Sequence, residues 1–289
     1  MVGPVRLPPW IRVRVGQSDT FQATREHLRA HGLHTVCEEA ACPNMGHCWA
    51  RGRATILILG DRCTRGCRFC NVDKRPVLPP VADEPQRVAA AVRETGLKEV
   101  VITSVTRDDL PDCGAAIWAT TIRVVRETVP GVLIEALVPD FGGDPEAIGI
   151  VIQARPAIFG HNLETVPRLY PHVRPQADYA RSLRVLRQAS DAGLAAKTSL
   201  MLGLGETMEE VEAVMRDARA AGCTIFYAGQ YLQPTPRHEP VARYVEPAEF
   251  DSLRDTAHAL GFTRVAAAPL VRSSYREERA QESATHPDS

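Results

Sequence analysis

Short runs rich in valine and isoleucine alternate with longer amphipathic stretches between residues 54 and 262. Six such pairs follow one another, which indicates strand–helix units joined into a parallel sheet. Right-handed crossovers would wrap that sheet into a barrel, and six units are fewer than the eight of a closed (β/α)8 barrel. We therefore predict an α/β fold built on a partial (β/α)6 barrel. The predicted strands are 55–59, 99–103, 133–137, 157–161, 197–202 and 224–228, and the predicted helices are 84–95, 115–128, 145–154, 179–192, 208–221 and 247–260.

The segments on either side of this region lack the alternation. The N-terminal extension, residues 1–53, contains a predicted short helix at 20–31 and then a loop-like stretch with three cysteines. The C-terminal segment covers residues 263–289, and its last part, REERAQESATHPDS at 276–289, carries many charges and no apolar anchors. We predict that these last residues are disordered.

Composition and charge exclude several classes of protein. Hydrophobic residues make up 44% and charged residues 24% of the 289, as in ordinary globular proteins. The formal net charge of -1 favours neither nucleic acid nor an anionic membrane as a partner. The chain has neither a signal peptide nor an apolar run long enough to span a bilayer, so we expect a cytoplasmic protein. Structural disulfides are rare in that compartment, and the eight cysteines need another explanation.

Six of the eight cysteines fall into two tight groups of three. The first group has the spacing C-x4-C-x5-C and the second C-x3-C-x2-C, just after the first predicted strand. A four-iron cubane takes one ligand per iron, so three cysteines leave one iron open to a cofactor or substrate. Parallel barrels also carry their chemistry at the carboxyl ends of strands. The groups are Cys37, Cys42 and Cys48, and Cys63, Cys67 and Cys70.

Two other interpretations of these cysteines stay open. They could be buried core residues, or they could bind structural zinc, which takes four ligands. The charge around the second group counts against a core segment, and iron–sulfur binding is favoured. Cys113 and Cys223 stand alone, and we expect both in the core. The zinc ligand sets would be completed by His31, His34 or His47, and the charges beside the second group are Arg62, Arg65 and Arg68.

The stretch CTRGCRFC, residues 63–70, resembles the signature C-x3-C-x-aromatic-C of radical S-adenosylmethionine enzymes. The resemblance implies that its cysteines hold a four-iron four-sulfur cluster whose fourth iron is chelated by S-adenosylmethionine. It implies that Phe69 borders the adenine and that Thr103 and Ser104 contact the amino group of this cofactor. The alternative for Thr103 and Ser104 is a turn pair that ends the strand. One electron from the cluster would cleave the cofactor and yield a 5′-deoxyadenosyl radical.

Five further stretches resemble lipoyl synthases, a family within that superfamily. The resemblance runs from about Trp10 to Tyr275. Cys113, Ser199 and Ala268 stand where the family usually has glycine, so local backbone shape is expected to differ there. The stretches are HTVCEEAACPNMGHCW (34–49), SVTRDDLPD (104–112), HNLETVPRLY (161–170), LMLGLGET (200–207) and VRSSY (271–275).

This second resemblance implies a function. The enzyme would insert sulfur at C6 and C8 of an octanoyl chain linked to a lysine of a lipoyl carrier domain, in a 2-oxoacid dehydrogenase E2 or a glycine cleavage H protein. A second four-iron four-sulfur cluster on Cys37, Cys42 and Cys48 would donate the sulfur and be consumed. A ferredoxin or flavodoxin would supply electrons, and two S-adenosylmethionine molecules would be spent per lipoyl group. The family pattern favours Ser274 over Ser273 as the fourth ligand of that cluster.

Two competing hypotheses remain at this point. The second cluster could serve as an electron conduit, as in a radical dehydrogenase, and would then survive turnover. The chain could instead be a non-catalytic zinc protein that binds RNA or protein, although its net charge counts against RNA.

Several polar residues are further candidates for the site. Asp108 and Asp109 could bind the ribose or the substrate, but we favour a pairing with Arg107 or a cap on the helix that follows. Glycines 203 and 205 are expected to form a turn that approaches the cofactor closely. The remaining polar candidates are Glu135 and Lys197, at strand positions, and His161 and Asn162, at the end of the fourth predicted strand.

Overall fold

A computed structural model of the chain describes residues 7–12 and 18–274, and the tail predicted to be disordered lies outside these residues. The described part forms one sheet with helices packed against it. Its strands are β1 His34–Thr35, β2 Thr55–Ile58, β3 Glu99–Ser104, β4 Leu133–Leu137, β5 Ile158–Gly160, β6 Ala195–Leu202, β7 Ile225–Gln230 and β8 Arg264–Ala267. Its α-helices are α1 Asp19–Ala30, α2 Val36–Glu39, α3 Met45–Trp49, α4 Glu84–Thr95, α5 Ala115–Thr128, α6 Pro145–Gln153, α7 Tyr170–Val173, α8 Tyr179–Asp191, α9 Met208–Ala220 and α10 Pro247–Ala259.

The strands are ordered in space as they are along the chain, from β1 to β8. All neighbouring pairs are parallel except β1 and β2, which are antiparallel. In the described part β1 and β8 are the edges, so the sheet stays open and the prediction of a partial barrel is confirmed. The six predicted strands correspond to β2–β7. Two short strands were not predicted: β1, in the N-terminal extension, and β8, in the predicted C-terminal segment.

Alternation along each strand separates the two faces of the sheet. Ile56, Ile102 and Phe159 are fully buried against the helices of the outer layer. Their neighbours along the strands, such as Leu57 and Thr103, face the inner side and line a cavity. The outer layer buries the apolar stripes of α4, α5, α6, α8 and α9.

Helix ends follow local signals in the sequence. Thr207 caps α9, and the Glu210 carboxylate accepts a hydrogen bond from the Thr207 backbone N–H at 2.9 Å, so both halves of a capping box are present. Gly96 ends α4 with a φ of 62°, a left-handed conformation that glycine adopts without strain. Across residues 7–12 and 18–274, no helix combines the length and the apolar character needed to cross a membrane.

Candidate active site and second metal centre

A cavity of about 460 Å³ opens at the carboxyl ends of the parallel strands. This size falls within the range of small-molecule sites in enzymes. The ends of β3, β4, β5 and β7 contribute to its wall, as do the loop after β2 and the C-terminal segment. All three cysteines of the second group line it, together with Phe69, Thr103 and Ser104. The structure therefore brings the second cysteine group together with the three residues that the resemblance assigns to S-adenosylmethionine.

Backbone N–H groups surround one sulfur atom of the second cysteine group. Cys63 Sγ accepts hydrogen bonds from the backbone N–H groups of Arg65 and Thr106, both at 3.4 Å. Backbone donors of this kind suit a thiolate, which is the ligand form of cysteine. The eight cysteines are all free thiols, so none of these sulfurs is occupied by a disulfide.

An arginine inside this loop fixes its position on the sheet. Arg65 is 8% exposed and makes a bidentate contact with Asp108, with both N···O distances at 2.8 Å. It also contacts Asp140 at 2.7 Å. Burial acts to raise the pKa of Asp140, but the hydrogen bond and charge of Arg65 outweigh it and lower this pKa to about 2. The buried carboxylate thus stays ionised and anchors the loop.

The acidic residues after β3 divide their roles differently from the prediction. Asp109 pairs with Arg107 as predicted, at 2.8 Å. Asp108 does not pair with Arg107, because Arg65 reaches it from the cysteine loop. The cap of α5 comes from Asp112, whose carboxylate accepts hydrogen bonds from the N–H groups of Gly114 and Ala116.

Phe69, Thr103 and Ser104 line the cavity, and each already has a structural partner. Phe69 packs against a small apolar cluster that includes Val173 and Tyr231. The Thr103 hydroxyl donates to the Leu137 carbonyl at 2.7 Å, and the Ser104 hydroxyl accepts from the Trp118 indole at 3.1 Å. Thr103 therefore keeps a lone pair for a donor such as an amino group, whereas Ser104 keeps its proton for an acceptor.

Three polar atoms in the cavity wall are buried without a hydrogen-bond partner among the described residues. They are His161 Nε2, Asn162 Oδ1 and Arg174 Nε. His161 donates from Nδ1 to the Val138 carbonyl at 2.9 Å, which leaves Nε2 as an acceptor. Burial lowers the pKa of His161 to about 4, so the ring is neutral near pH 7. Two acceptors and one donor left unpaired in a buried wall fit a polar ligand such as a nucleoside.

The first cysteine group lies in the N-terminal extension, beside a smaller cavity. Cys37 sits on α2, Cys48 sits on α3, and Cys42 lies in the turn between these helices. All three line this cavity, and so do Arg272 and Ser274 from the other end of the chain. Ser274 and the three cysteines thus lie around the same cavity.

Neither cysteine group is arranged around a single metal ion. In residues 7–12 and 18–274, one group of three metal-binding side chains brings its ligand atoms within 4.8 Å of one another, and it contains no cysteine. Zinc bonds to sulfur of ~2.3 Å would bring the sulfurs of one site closer than that. A polynuclear cluster spreads its thiolates over several irons and fits the wider spacing.

The C-terminal segment is held by contacts that the sequence did not predict. Asn44, beside the first cysteine group, donates to the Leu270 carbonyl at 2.5 Å. Lys197 donates to the Ser273 carbonyl at 2.5 Å and to Glu135 at 2.6 Å. Glu135 and Lys197 thus form a buried pair on the inner face of the sheet, and the pair holds the segment. No local pattern signals such contacts, because the partners are far apart in sequence.

The turn at residues 203–205 is fixed by a glutamate. Glu206 is 6% exposed and accepts hydrogen bonds from the N–H groups of Gly203 and Leu204, at 2.5 and 2.9 Å. Neither glycine of this turn lines the large cavity. The close approach of these glycines to a cofactor stays a prediction.

Comparison with known proteins identifies the family. Residues 57–218 match the model of the radical SAM superfamily, and residues 3–42 match the model of the N-terminal domain of lipoyl synthase of the Radical_SAM family. The chain is 51% identical to the lipoyl synthase of Acidothermus cellulolyticus, over 95% of this chain and 85% of that one. It is 52% identical to that of Oleidesulfovibrio alaskensis, over 94% and 93% of the two chains.

Solved structures share the fold at low sequence identity. Streptococcus suis SuiB bound to S-adenosylmethionine superposes with a TM-score of 0.60 and 11% identity, covering 78% of this chain and 54% of that one. Methylornithine synthase (PylB) gives a TM-score of 0.55 and 15% identity, covering 92% and 89%. Membership of this superfamily implies a four-iron four-sulfur cluster and S-adenosylmethionine as cofactors. The matches over almost the whole chain mean that it belongs to the lipoyl synthase family of radical S-adenosylmethionine enzymes.

Proposed function

We propose that this enzyme inserts two sulfur atoms, at C6 and C8, into an octanoyl chain attached to a lysine of a lipoyl carrier domain. One observation carries the proposal. Cys42 and Ser274 line both the large cavity and the small one, so the two sites adjoin each other. A substrate in the large cavity would have the radical-generating centre on one side and a sulfur source on the other.

The two centres would have separate ligands and tasks. Cys63, Cys67 and Cys70 would hold one cluster, and the group in the N-terminal extension would hold the second. When bound, these groups and S-adenosylmethionine supply a 5′-deoxyadenosyl radical, which removes one hydrogen atom, and sulfur atoms for the new C–S bonds. Phe69 would border the adenine, and the Thr103 lone pair would accept from the amino group. His161 and Asn162 offer their unpaired acceptors to ribose hydroxyls.

Ser274 would supply the fourth ligand of the second cluster. Its neighbour Ser273 is already engaged, because its hydroxyl accepts a hydrogen bond from Asn162 at 2.9 Å. Ser274 lines the small cavity together with the cysteines, and Ser273 does not. An oxygen ligand binds iron in such a cluster less strongly than thiolate does, so its iron would be released first. This weakness suits a cluster that gives up its sulfur.

The wall of the large cavity suits an acyl chain. Leu57 of β2, Val105 just after β3 and Leu137 of β4 present apolar side chains to it. An eight-carbon chain gains about 0.8 kcal/mol for each methylene group that it buries. The carrier lysine would enter from the open end of the barrel, on a 2-oxoacid dehydrogenase E2 or a glycine cleavage H protein. A ferredoxin or flavodoxin would deliver the electrons, one for each S-adenosylmethionine cleaved.

The experiment is an anaerobic incubation of the reconstituted enzyme with octanoyl-lysine peptide, dithionite and S-adenosylmethionine. Mass spectrometry should detect peptide that has gained two sulfur atoms, with two 5′-deoxyadenosine molecules formed per product. Iron should be lost from the second cluster as product accumulates. Cys223 is buried and lies outside both cavities, so Cys223→Ala is the control and should keep the activity.

Two outcomes would contradict the proposal. If 5′-deoxyadenosine forms but no sulfur enters the peptide, the acyl chain is not the substrate. If the peptide is dehydrogenated while the second cluster keeps all its iron, that cluster acts as an electron conduit.

A further inference from the structure

Two histidines of the N-terminal extension meet a glutamate of the barrel at the surface, away from both cysteine groups. His27 lies in the last turn of α1, and His31 follows that helix directly. Glu94 lies in the last turn of α4. His31 Nε2 is 2.9 Å from Glu94 Oε2, and His27 Nδ1 is 3.7 Å from the same oxygen. The three ligand atoms all lie within 4.8 Å of one another.

The hydrogen bond of His27 fixes which of its nitrogens faces the glutamate. His27 Nε2 contacts the Ala91 carbonyl at 3.0 Å, and a carbonyl only accepts, so Nε2 carries the proton. In the neutral ring, Nδ1 then presents a lone pair towards the Glu94 carboxylate. Two electron-rich atoms facing each other are unfavourable unless a proton or a metal ion lies between them. A metal-binding histidine typically donates its other ring N–H to a backbone carbonyl in this way.

We propose that His27, His31 and Glu94 bind a divalent transition-metal ion of the zinc class. Two imidazole nitrogens and one carboxylate oxygen are a common zinc ligand set, with water in the fourth position. The histidine side chains are 21% and 18% exposed, whereas Glu94 is 48% exposed, so the site is open to water on the glutamate side.

The ion would fasten the N-terminal extension to the barrel. Arg87 of α4 already holds the end of α1, because its guanidinium donates to the carbonyls of His31 and Gly32 at 3.1 and 2.8 Å. Cys37, the first residue of the first cysteine group, follows five residues after Gly32. A metal ion between α1 and α4 would therefore stabilise the segment that enters the first cysteine group, without taking part in the reaction.

The test uses the enzyme with its clusters reconstituted under anaerobic conditions. After equilibrium dialysis against Zn²⁺, bound zinc is counted by mass spectrometry, and iron is counted in the same sample. The wild type should bind one zinc more per chain than either His27→Gln or His31→Gln, with equal iron in all three. Glu94→His offers a third imidazole and should keep the ion. His258, exposed on α10, provides the control His258→Gln, which should leave zinc binding unchanged.

Hydrogen exchange gives a second measurement on the same samples. Zinc should slow the exchange of backbone amides in residues 19–31 of the wild type and should leave His31→Gln unaffected. Equal zinc content in the wild type and in the double variant His27→Gln/His31→Gln would overturn the proposal. Unchanged exchange in the wild type on addition of zinc would also overturn it.

Discussion

Ser273 and Ser274 are adjacent, yet they have different surroundings. The Ser273 hydroxyl accepts from Asn162, and its carbonyl accepts from Lys197, so this residue anchors the segment. Ser274 reaches the small cavity, where the first cysteine group lies. Sequence alone could not separate the two serines except by family resemblance, whereas their contacts separate them on physical grounds.

Replacing each serine should therefore have a different effect. Ser274→Ala should still form 5′-deoxyadenosine but should make no lipoyl product, because the second cluster would lose the releasable ligand that we propose for it. Ser274→Cys should hold that cluster more firmly and slow sulfur release. Product and 5′-deoxyadenosine are measured by mass spectrometry in the same reaction. Ser273→Ala is the matched control and should retain product, and full product formation by Ser274→Ala would show that another group is the ligand.

Arg174 is a buried cation beside Cys67, one of the three cysteines proposed to hold the radical-generating cluster. It donates to the carbonyls of Asn162 and Leu163, both at 3.1 Å, while its Nε has no partner in the described part of the chain. Its charge and a hydrogen bond both act to lower the pKa of Cys67, although burial of this thiol raises its pKa overall. A positive charge here should stabilise the reduced cluster, since reduction adds one negative charge.

Removing that charge should make the cluster harder to reduce. Arg174→Gln is expected to shift the reduction potential of the radical-generating cluster to more negative values. Arg174→Lys should shift it less because the charge remains. The measurement is a redox titration followed by electron paramagnetic resonance. The loss of buried hydrogen bonds should also cost about 1–3 kcal/mol of stability in Arg174→Gln. A potential that is equal in wild type and Arg174→Gln would contradict the argument.

At the level of elements, the C-terminal segment is placed by its close crossing of β7. A Cβ atom built on Gly229 would overlap the carbonyl oxygen of Val271, so a side chain there is incompatible with the observed path. Gln230 donates from its backbone to the Pro269 carbonyl at 3.1 Å and continues this contact. The glycine thus sets how deeply Ser274 reaches into the small cavity.

Gly229→Ala should push the segment away from the sheet. We expect a loss of about 1–3 kcal/mol in the free energy of unfolding, as for other overpacked sites, and a loss of sulfur insertion beyond the loss of folded protein. Gly149→Ala, in the middle of α6, is the control. Its Cβ meets only an ordinary contact at 3.8 Å, and it should stabilise the helix by about 0.5–1 kcal/mol. Denaturant unfolding and product formation are compared, and wild-type values for Gly229→Ala would exclude this role of the crossing.

The sequence predicted the elements that have strong local signals. Strands β2–β7 were predicted because fully buried strands need runs of branched apolar residues, as in Thr55–Ile58. The strand β8, Arg264–Ala267, was missed because it is four residues long and begins with an arginine. The cysteine groups were found by spacing alone. Contacts such as Asn44 with Leu270, 226 residues apart, could not be found, because they depend on how the whole chain folds.

For the molecule as a whole, the two ends of the described chain meet on the barrel. The N-terminal extension brings three cysteines and the C-terminal segment brings Ser274, and the barrel supplies the cavity that both of them border. The cysteines proposed to hold the radical-generating cluster, Cys63, Cys67 and Cys70, all lie in the barrel, whereas the ligands proposed for the second cluster come from both ends. The two centres should therefore be separable by mutation.

The reconstituted enzyme should contain about eight irons and eight sulfides per chain, because each cysteine group is built for one four-iron cluster. Cys42→Ala should bind about four irons and still cleave S-adenosylmethionine, since the barrel site keeps all its ligands. Cys63→Ala should also bind about four irons but should not cleave the cofactor. Iron and sulfide analysis and a 5′-deoxyadenosine assay on the same samples check both statements. A wild type that saturates at half the expected iron would remove the second cluster, and equal loss of cleavage in both variants would mean that the two centres do not act separately.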